Sequence, residues 1–122
     1  MARNSHLVIK LATGVEDPER VAQAFSVAST AVATGIGVSF WLAGEAAWLA
    51  LPGRAEEFSL PHSAPLHELL AILISEATVT LCTQCAVRRN IAPGDQISGI
   101  RIAGSTRFVE EITNEFTQAL VY

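Results

Sequence analysis

The sequence predicts an α/β fold built on a parallel sheet. Short apolar runs alternate with longer amphipathic runs along the chain, which is the pattern that successive strands and helices produce. The length of 122 residues suits one domain with one sizeable core. Half of the residues are apolar and 16% are charged, a composition that excludes disorder. We therefore expect residues 1–122 to form a single domain.

The first part of the chain predicts two strands joined by a helix. A strand covers residues 6–11, where apolar side chains dominate. Asp17 and Pro18 then begin a helix, because an Asp side chain caps free amides and Pro fits the first helical position. A second strand follows at residues 38–42, and a short helix at residues 45–51 comes after it. This order begins the alternation that a parallel sheet requires.

The middle of the chain combines an irregular segment with a strongly apolar helix. Residues 53–65 contain two prolines and several polar side chains, which makes them a candidate for a mobile loop over a site. A helix over residues 65–76 places four leucines on one face, while Ile72 and Ile74 fall elsewhere. Deep burial and a subunit interface are both open as explanations for a helix that is apolar on more than one side.

The last part of the chain continues the alternation and completes a set of five strands. In order, its predicted elements are a strand at residues 78–81, a helix after Cys82, a strand at 100–102, a helix from Gly104 and a strand at 119–122. Val109, Ile112 and Phe116 share the apolar face of the predicted last helix, at helical spacing.

Charge and hydropathy exclude two classes of partner. The net charge is −4 and the basic residues are scattered, so the basic stripe that nucleic-acid binding needs is absent. A membrane-spanning helix needs about 18 consecutive apolar residues, and the sequence has no such run. Residues 1–6 lack the long apolar segment and cleavage site of a signal peptide, so we expect a cytoplasmic protein.

Cys82 is the first candidate for chemistry, because it ends the predicted strand at residues 78–81. The carboxyl ends of parallel strands are where reactive groups gather. Free amides at the start of the next helix favour an anion and would lower the pKa of the thiol. Arg88, and Arg89 beside it, would add positive charge if the helix brings them back towards the sulfur. The alternative is a small buried apolar residue, a common environment for cysteine.

Cys85 follows Cys82 at the C-x-x-C spacing. In a reducing compartment this spacing is more typical of redox or metal chemistry than of a structural disulfide. If Cys82 begins a helix, Cys85 lies one turn further on the same side, and a dithiol that cycles with a disulfide is feasible. The residues around the pair lack the thioredoxin-type signature. Packing beneath the helix and a resolving or second-carrier role both stay open for Cys85.

Metal and cofactor motifs are missing from the sequence. A structural zinc site normally needs four ligands, and this chain has one C-x-x-C with His6, His62 and His67 placed far from it in sequence. No glycine-rich nucleotide-binding motif is present. We therefore predict no metal and no cofactor.

Several short segments have a familiar order and spacing. They are TG at residues 13–14, EDPER at 16–20, WLAG at 41–44, TVTLCTQCAVRRNI at 78–91 and ALVY at 119–122. Together with the opening strand they resemble the DsrE/TusD/YchN-like (DsrE/F-like) family of small sulfur-trafficking proteins. The resemblance covers essentially the whole chain.

The resemblance implies a three-layer α/β/α fold with a five-stranded parallel sheet, flavodoxin-like in outline, and assembly into homotrimers or homohexamers. In the sulfur-relay members, a cysteine at the end of this strand carries a persulfide, and Cys82 matches that position. Cys85 is shared with only a subset of the family. Asn90 stands where members usually have Gly, and Asn also accepts a left-handed helix end. Some members lack the carrier cysteine, so membership alone does not establish sulfur transfer.

Three functions follow as hypotheses. The first is an intracellular sulfur-relay protein, or sulfurtransferase, in which Cys82 carries sulfane sulfur between donor and acceptor proteins with help from Arg88. The second is a dithiol redox protein of peroxiredoxin or thioredoxin type that uses Cys82 and Cys85. The third is a non-catalytic oligomeric module in which both cysteines are packed.

Overall fold

The computed structural model describes residues 5–122. The helices and strands follow in the order β1 (His6–Leu11), α1 (Pro18–Ala33), β2 (Gly37–Leu42), a 3₁₀ helix (Gly44–Ala50), α2 (Arg54–Glu57), α3 (Leu66–Glu76), β3 (Thr78–Cys82), α4 (Thr83–Arg88), β4 (Arg101–Ala103), α5 (Ser105–Ile112) and β5 (Thr117–Val121). The predictions about the opening residues fall partly on residues 1–4, which lie outside the described part of the chain.

All five strands form one parallel sheet in the order β4-β3-β2-β1-β5. Helices α1 and α3 pack against each other on one face, where Phe25 of α1 meets Phe40 of β2 with ring centroids 4.8 Å apart. Helix α5 covers the other face, where the Phe108 ring meets the Trp41 ring edge-on at 5.3 Å. The predicted α/β/α arrangement with a five-stranded parallel sheet is confirmed.

The α1 side of the sheet is the apolar core. Alternate residues of the strands point to this side, as the period of two requires, and most of them are fully buried. They include Ile9, Leu11, Phe40, Leu42 and Leu81. The small side chains of α1 allow that helix to lie close to the sheet.

The opposite side, which we call the α5 face, is polar. Its central row, set by the strand register, is Lys10, Trp41, Thr80 and Arg101. Glu111 of α5 is the acceptor that joins this helix to the sheet: it accepts from the Ser39 hydroxyl at 2.6 Å and from the Trp41 indole at 3.0 Å, and forms an ion pair with Arg101. Arg101 Nε also donates to the Thr80 hydroxyl at 2.5 Å. These contacts fix α5 over the sheet.

The end of the chain differs from the prediction. Helix α5 ends at Ile112, and Phe116 lies beyond it with a positive φ of 57° and 49% of its surface exposed. The Thr113 hydroxyl donates to the carbonyl oxygen of Val109 at 2.8 Å, which competes with continuation of the helix. Thr117 then begins a strand two residues earlier than predicted because it pairs with His6 of β1. The predicted shared face of Val109, Ile112 and Phe116 is therefore wrong.

The segment at residues 53–65 is partly ordered into a helix. Gly53 adopts a positive φ of 85° and helix α2 follows directly, so the prediction of a wholly irregular stretch is wrong for its first turn. The segment borders three cavities, of about 650, 410 and 450 Å³, on α1, on the 3₁₀ helix and on α3. Cys82 lines none of the three.

Helix α3 buries its leucine face and leaves part of its isoleucine side open. Leu66, Leu70 and Leu73 are buried against the sheet and α1, whereas Ile72 is 42% exposed. Burial within this chain therefore does not explain why position 72 is apolar, and a subunit interface on this side of α3 stays a prediction. Within residues 5–122, the helices are too short or too polar for any of them to cross a bilayer.

Candidate functional site

Cys82 is the last residue of β3 and the residue that caps helix α4. It is the register partner of Ala103 and lies two residues beyond Thr80, so its side chain belongs to the α5 face. The residue is partly exposed. The predicted position of Cys82, at the carboxyl end of a parallel strand and the start of a helix, is confirmed.

Cys85 lies one turn into α4 and is buried, with 8% of its surface exposed. Its sulfur accepts a hydrogen bond from the Gly44 amide at 3.1 Å. Gly44 has a positive φ of 52°, and a side chain there would collide with the Ala12 carbonyl oxygen. A glycine at this position therefore lets the turn after β2 reach the Cys85 sulfur.

The pKa of the Cys82 thiol lies below its ordinary value. Partial burial acts to raise this pKa, but it is outweighed. The backbone amide and the thiol of Cys85, the backbone amide of Gln84 and the charge of Lys10 all stabilise the thiolate. Cys82 is thus the more acidic member of the pair.

The pKa of the Cys85 thiol moves in the opposite direction. Burial raises this pKa. Cys82 raises it further, because a Cys82 thiolate accepts a hydrogen bond from the Cys85 thiol and repels a second negative charge. The Gly44 amide and Arg89 act against this increase without cancelling it. The two thiols therefore differ in acidity: Cys82 is the first of the pair to ionise, and the Cys85 thiol is the donor that stabilises its thiolate.

The two arginines of α4 separate in the structure. Arg89 forms an ion pair with Glu45, with Nη2 to Oε2 at 2.8 Å, and donates to the carbonyl oxygen of Cys85 at 3.1 Å. It therefore ties α4 to the 3₁₀ helix. Arg88 is exposed in the last turn and makes no hydrogen bond or ion pair within residues 5–122. The predicted contribution of Arg88 to the Cys82 site stays a prediction.

Lys10 is a site residue that the sequence analysis missed. It lies on the α5 face in the same row as Thr80, and its charge stabilises the Cys82 thiolate. Its ammonium nitrogen is 3.9 Å from the centroid of the Phe108 ring. The sequence does hold a sign of this. Lys10 is the single lysine of the chain and lies within a mainly apolar strand, where the period of two directs its side chain away from the core.

The predicted helix end at Asn90 is confirmed. Asn90 has a positive φ of 56°, and the Ile91 amide donates to the Ala86 carbonyl oxygen at 2.9 Å across the end of α4. In the described part of the chain, no three His, Cys, Asp or Glu side chains lie together in a way that could hold a metal ion.

The different acidities of the two cysteines predict a distinct alkylation profile. With iodoacetamide, we expect Cys82 to be labelled with a pH midpoint below that of an ordinary thiol, while Cys85 stays largely unlabelled. Cys85→Ala should move the Cys82 midpoint upwards, because the thiol donor is lost. Cys85→Ser keeps a donor and should stay closer to wild type. Peptide mass after labelling across a pH series measures the midpoint in wild type and in each variant. An unchanged Cys82 midpoint in Cys85→Ala would contradict the hydrogen bond from the Cys85 thiol to Cys82.

Together, the parallel sheet, the strand-end cysteine and the second cysteine one turn further on define a small α/β protein with a C-x-x-C pair. The DsrE/DsrF-like family model matches residues 6–118, and the chain belongs to this family.

Solved structures share the fold. The ychN protein from E. coli matches with a TM-score of 0.77 at 15% identity, covering 98% of this chain and 99% of that one. MTH1491 from Methanobacterium thermoautotrophicum, a protein of unknown function, matches with a TM-score of 0.70 at 11% identity, covering 98% and 100%. At these identities the likeness concerns the fold. No curated protein sequence matches the chain significantly.

Proposed function

We propose that this chain is a sulfur-relay protein that carries sulfane sulfur as a persulfide on Cys82. The observation that carries the proposal is the unequal cysteine pair at the end of β3, with a partly exposed Cys82 whose pKa is lowered and a buried Cys85 whose pKa is raised. Membership of the DsrE/DsrF-like family, which is broadly related to sulfur relay, supports it.

The transfer needs no oxidant. The Cys82 thiolate attacks the outer sulfur of a donor persulfide, R–S–SH, and the bond between the two donor sulfurs breaks. The outer sulfur and its proton stay on Cys82 as a persulfide, and the donor leaves as a thiolate. An acceptor thiolate repeats the step and restores Cys82. The Cys85 thiol stabilises the Cys82 anion before attack and again when the sulfur departs.

A dithiol redox function is the second candidate, because Cys85 contacts Cys82 from the next turn of the helix. In that function, Cys82 attacks a disulfide of the partner and Cys85 resolves the mixed disulfide, leaving a bond between Cys82 and Cys85. A resolving cysteine must attack as a thiolate, and the burial and raised pKa of Cys85 oppose that step. This favours the carrier function.

The proposal extends to partners and assembly. The single domain would exchange sulfur with donor and acceptor proteins in the cytoplasm as a homotrimer or homohexamer. Exposed apolar side chains on several elements support self-assembly. They include Ile72 of α3, Val87 of α4, Val109 of α5 and Val121 of β5. Arg88, exposed beside Val87, would lie near the docked donor. If only these surfaces matter and neither cysteine reacts, the chain is the non-catalytic module.

Intact mass after exposure of the reduced protein to a low-molecular-weight persulfide distinguishes these functions. We expect a gain of one sulfur atom that cyanide removes as thiocyanate. Cyanide takes the outer sulfur of a persulfide in this way, whereas a disulfide yields no thiocyanate. Loss of two hydrogen atoms would instead support the dithiol function. An unchanged mass would contradict both and leave the oligomeric module.

A further inference from the structure

In the part of the α5 face formed by residues 5–122, the Lys10 ammonium has no carboxylate partner. Arg101, in the same row, is paired with Glu111. The Lys10 side chain forms no hydrogen bond and no ion pair within residues 5–122, and its ammonium nitrogen lies 3.9 Å from the centroid of the Phe108 ring. A lysine ammonium that is partly buried over an aromatic ring has lost part of its hydration. The contact with the ring replaces only a part of that lost stabilisation when no anion is present. An incoming anion would supply what Lys10 lacks.

The register places this cation on the same face as the reactive sulfur, with strand β2 between their strands. Lys10 of β1 lies in the row of Trp41 and Thr80, and Cys82 is the next residue of β3 on that face. The Phe108 ring holds the ammonium at this position and is itself packed edge-on against Trp41. The pair formed by Arg101 and Glu111 fixes α5, and therefore Phe108, over the sheet. Packing thus fixes the positive charge on the face of the sheet that carries Cys82.

We propose that Lys10 is a specificity-determining residue that recognises the anionic end of a small sulfane-sulfur donor at Cys82, of which thiosulfate is the simplest probe. This inference rests on the proposed sulfur-carrier function and adds the charge of the donor.

The step with thiosulfate is balanced without a further reactant. The Cys82 thiolate forms a bond to the outer sulfur of thiosulfate, and the bond between that sulfur and the sulfonate sulfur breaks. Sulfite leaves with the electron pair, and Cys82 becomes a persulfide anion. Lys10 attracts the dianion during approach and offsets its repulsion by the Cys82 thiolate. It acts on binding and orientation, and it exchanges no proton.

Paired alkylating agents isolate the charge effect from sulfur chemistry. Iodoacetate is anionic and iodoacetamide is neutral, and both react with the thiolate, so the ratio of their rates at Cys82 cancels any change in the thiolate fraction. In Lys10→Met we expect the rate with iodoacetate, divided by the rate with iodoacetamide, to fall by about fivefold. Loss of one positive charge near the thiolate, at a dielectric constant between those of protein and water, accounts for an effect of that size. Lys10→Arg should restore most of the ratio. Arg20→Gln, which removes a cation from α1 on the other side of the sheet, should leave it unchanged.

Thiosulfate loading, measured as sulfur gained per minute by intact mass, should fall in Lys10→Met and recover in Lys10→Arg. An alkylation ratio that is equal in wild type and Lys10→Met would overturn the proposal. So would a wild-type protein that takes sulfur from a persulfide donor but none from thiosulfate, because the donor class would then be wrong. A wild-type protein that takes sulfur from neither donor contradicts the carrier function itself, and the alkylation ratio then shows separately whether Lys10 recognises anions.

Discussion

Cys82→Ser should abolish the uptake of sulfane sulfur completely. Serine has nearly the same shape, so helix α4 and its start are retained, but the hydroxyl does not ionise near neutral pH and forms no persulfide. Cys85 does not substitute, because it is buried and burial raises its pKa. The measurement is intact mass after incubation with a persulfide donor.

The matched control is Cys85→Ser, which removes the other thiol of the same helix. We expect this variant to gain one sulfur atom at a rate close to that of wild type, because the serine hydroxyl keeps a donor for the Cys82 anion. Sulfur uptake by Cys82→Ser, or its loss in Cys85→Ser with Cys82 intact, would reverse the roles assigned to the two residues.

Glu111→Ala should remove the polar contacts that join α5 to the sheet and lower the stability of the fold. It leaves the Arg101 guanidinium unpaired and removes the acceptor of both the Ser39 hydroxyl and the Trp41 indole. Buried polar groups without partners are costly, so we expect a decrease of about 2 kcal/mol or more in the free energy of unfolding. Urea denaturation measures it. Glu110→Ala is the control, because it removes the same charge from an exposed position on the same helix.

The stability contributed by Glu111 should also depend on pH. Burial acts to raise the pKa of this carboxyl, but hydrogen bonds from Ser39, Arg101 and Trp41, together with the charge of Arg101, hold it below its ordinary value. A folded-state pKa below the unfolded one gives a contribution that is complete above the unfolded pKa and is lost as the pH falls through the folded value. Wild type should therefore lose more stability on acidification than Glu111→Gln. Parallel acid profiles would contradict the assigned ion pair.

The apolar half of the molecule was predictable because its periodicity has one physical cause. Strands β1 and β2 and helices α1 and α3 bury alternate or helically spaced apolar side chains, so the sequence pattern marks them directly. The end of α5 was misjudged because Phe116 falls at helical spacing from Ile112 by coincidence. Strand pairing between Thr117 and His6, a contact distant in sequence, decides where that helix stops.

The site was predictable only in part. Cys82 follows from its place at a strand end, which depends on local sequence. The roles of Lys10 and Gly44 depend on neighbours that lie about 70 and 40 residues away in sequence, and strand register brings them together. Arg89 is tied down and Arg88 is exposed because Arg89 is the one that pairs with Glu45 on the 3₁₀ helix. No local pattern distinguishes two adjacent arginines.

The position of the acquired sulfur tests the central claim most directly. Wild-type protein is loaded with a persulfide donor, its thiols and persulfides are capped with an alkylating agent, and the peptide that contains both cysteines is sequenced by mass spectrometry. We expect one additional sulfur atom on Cys82, removable by a reductant, and none on Cys85. Additional sulfur on Cys85 alone, or a disulfide between the two residues in place of any added sulfur, would contradict a carrier that works through Cys82.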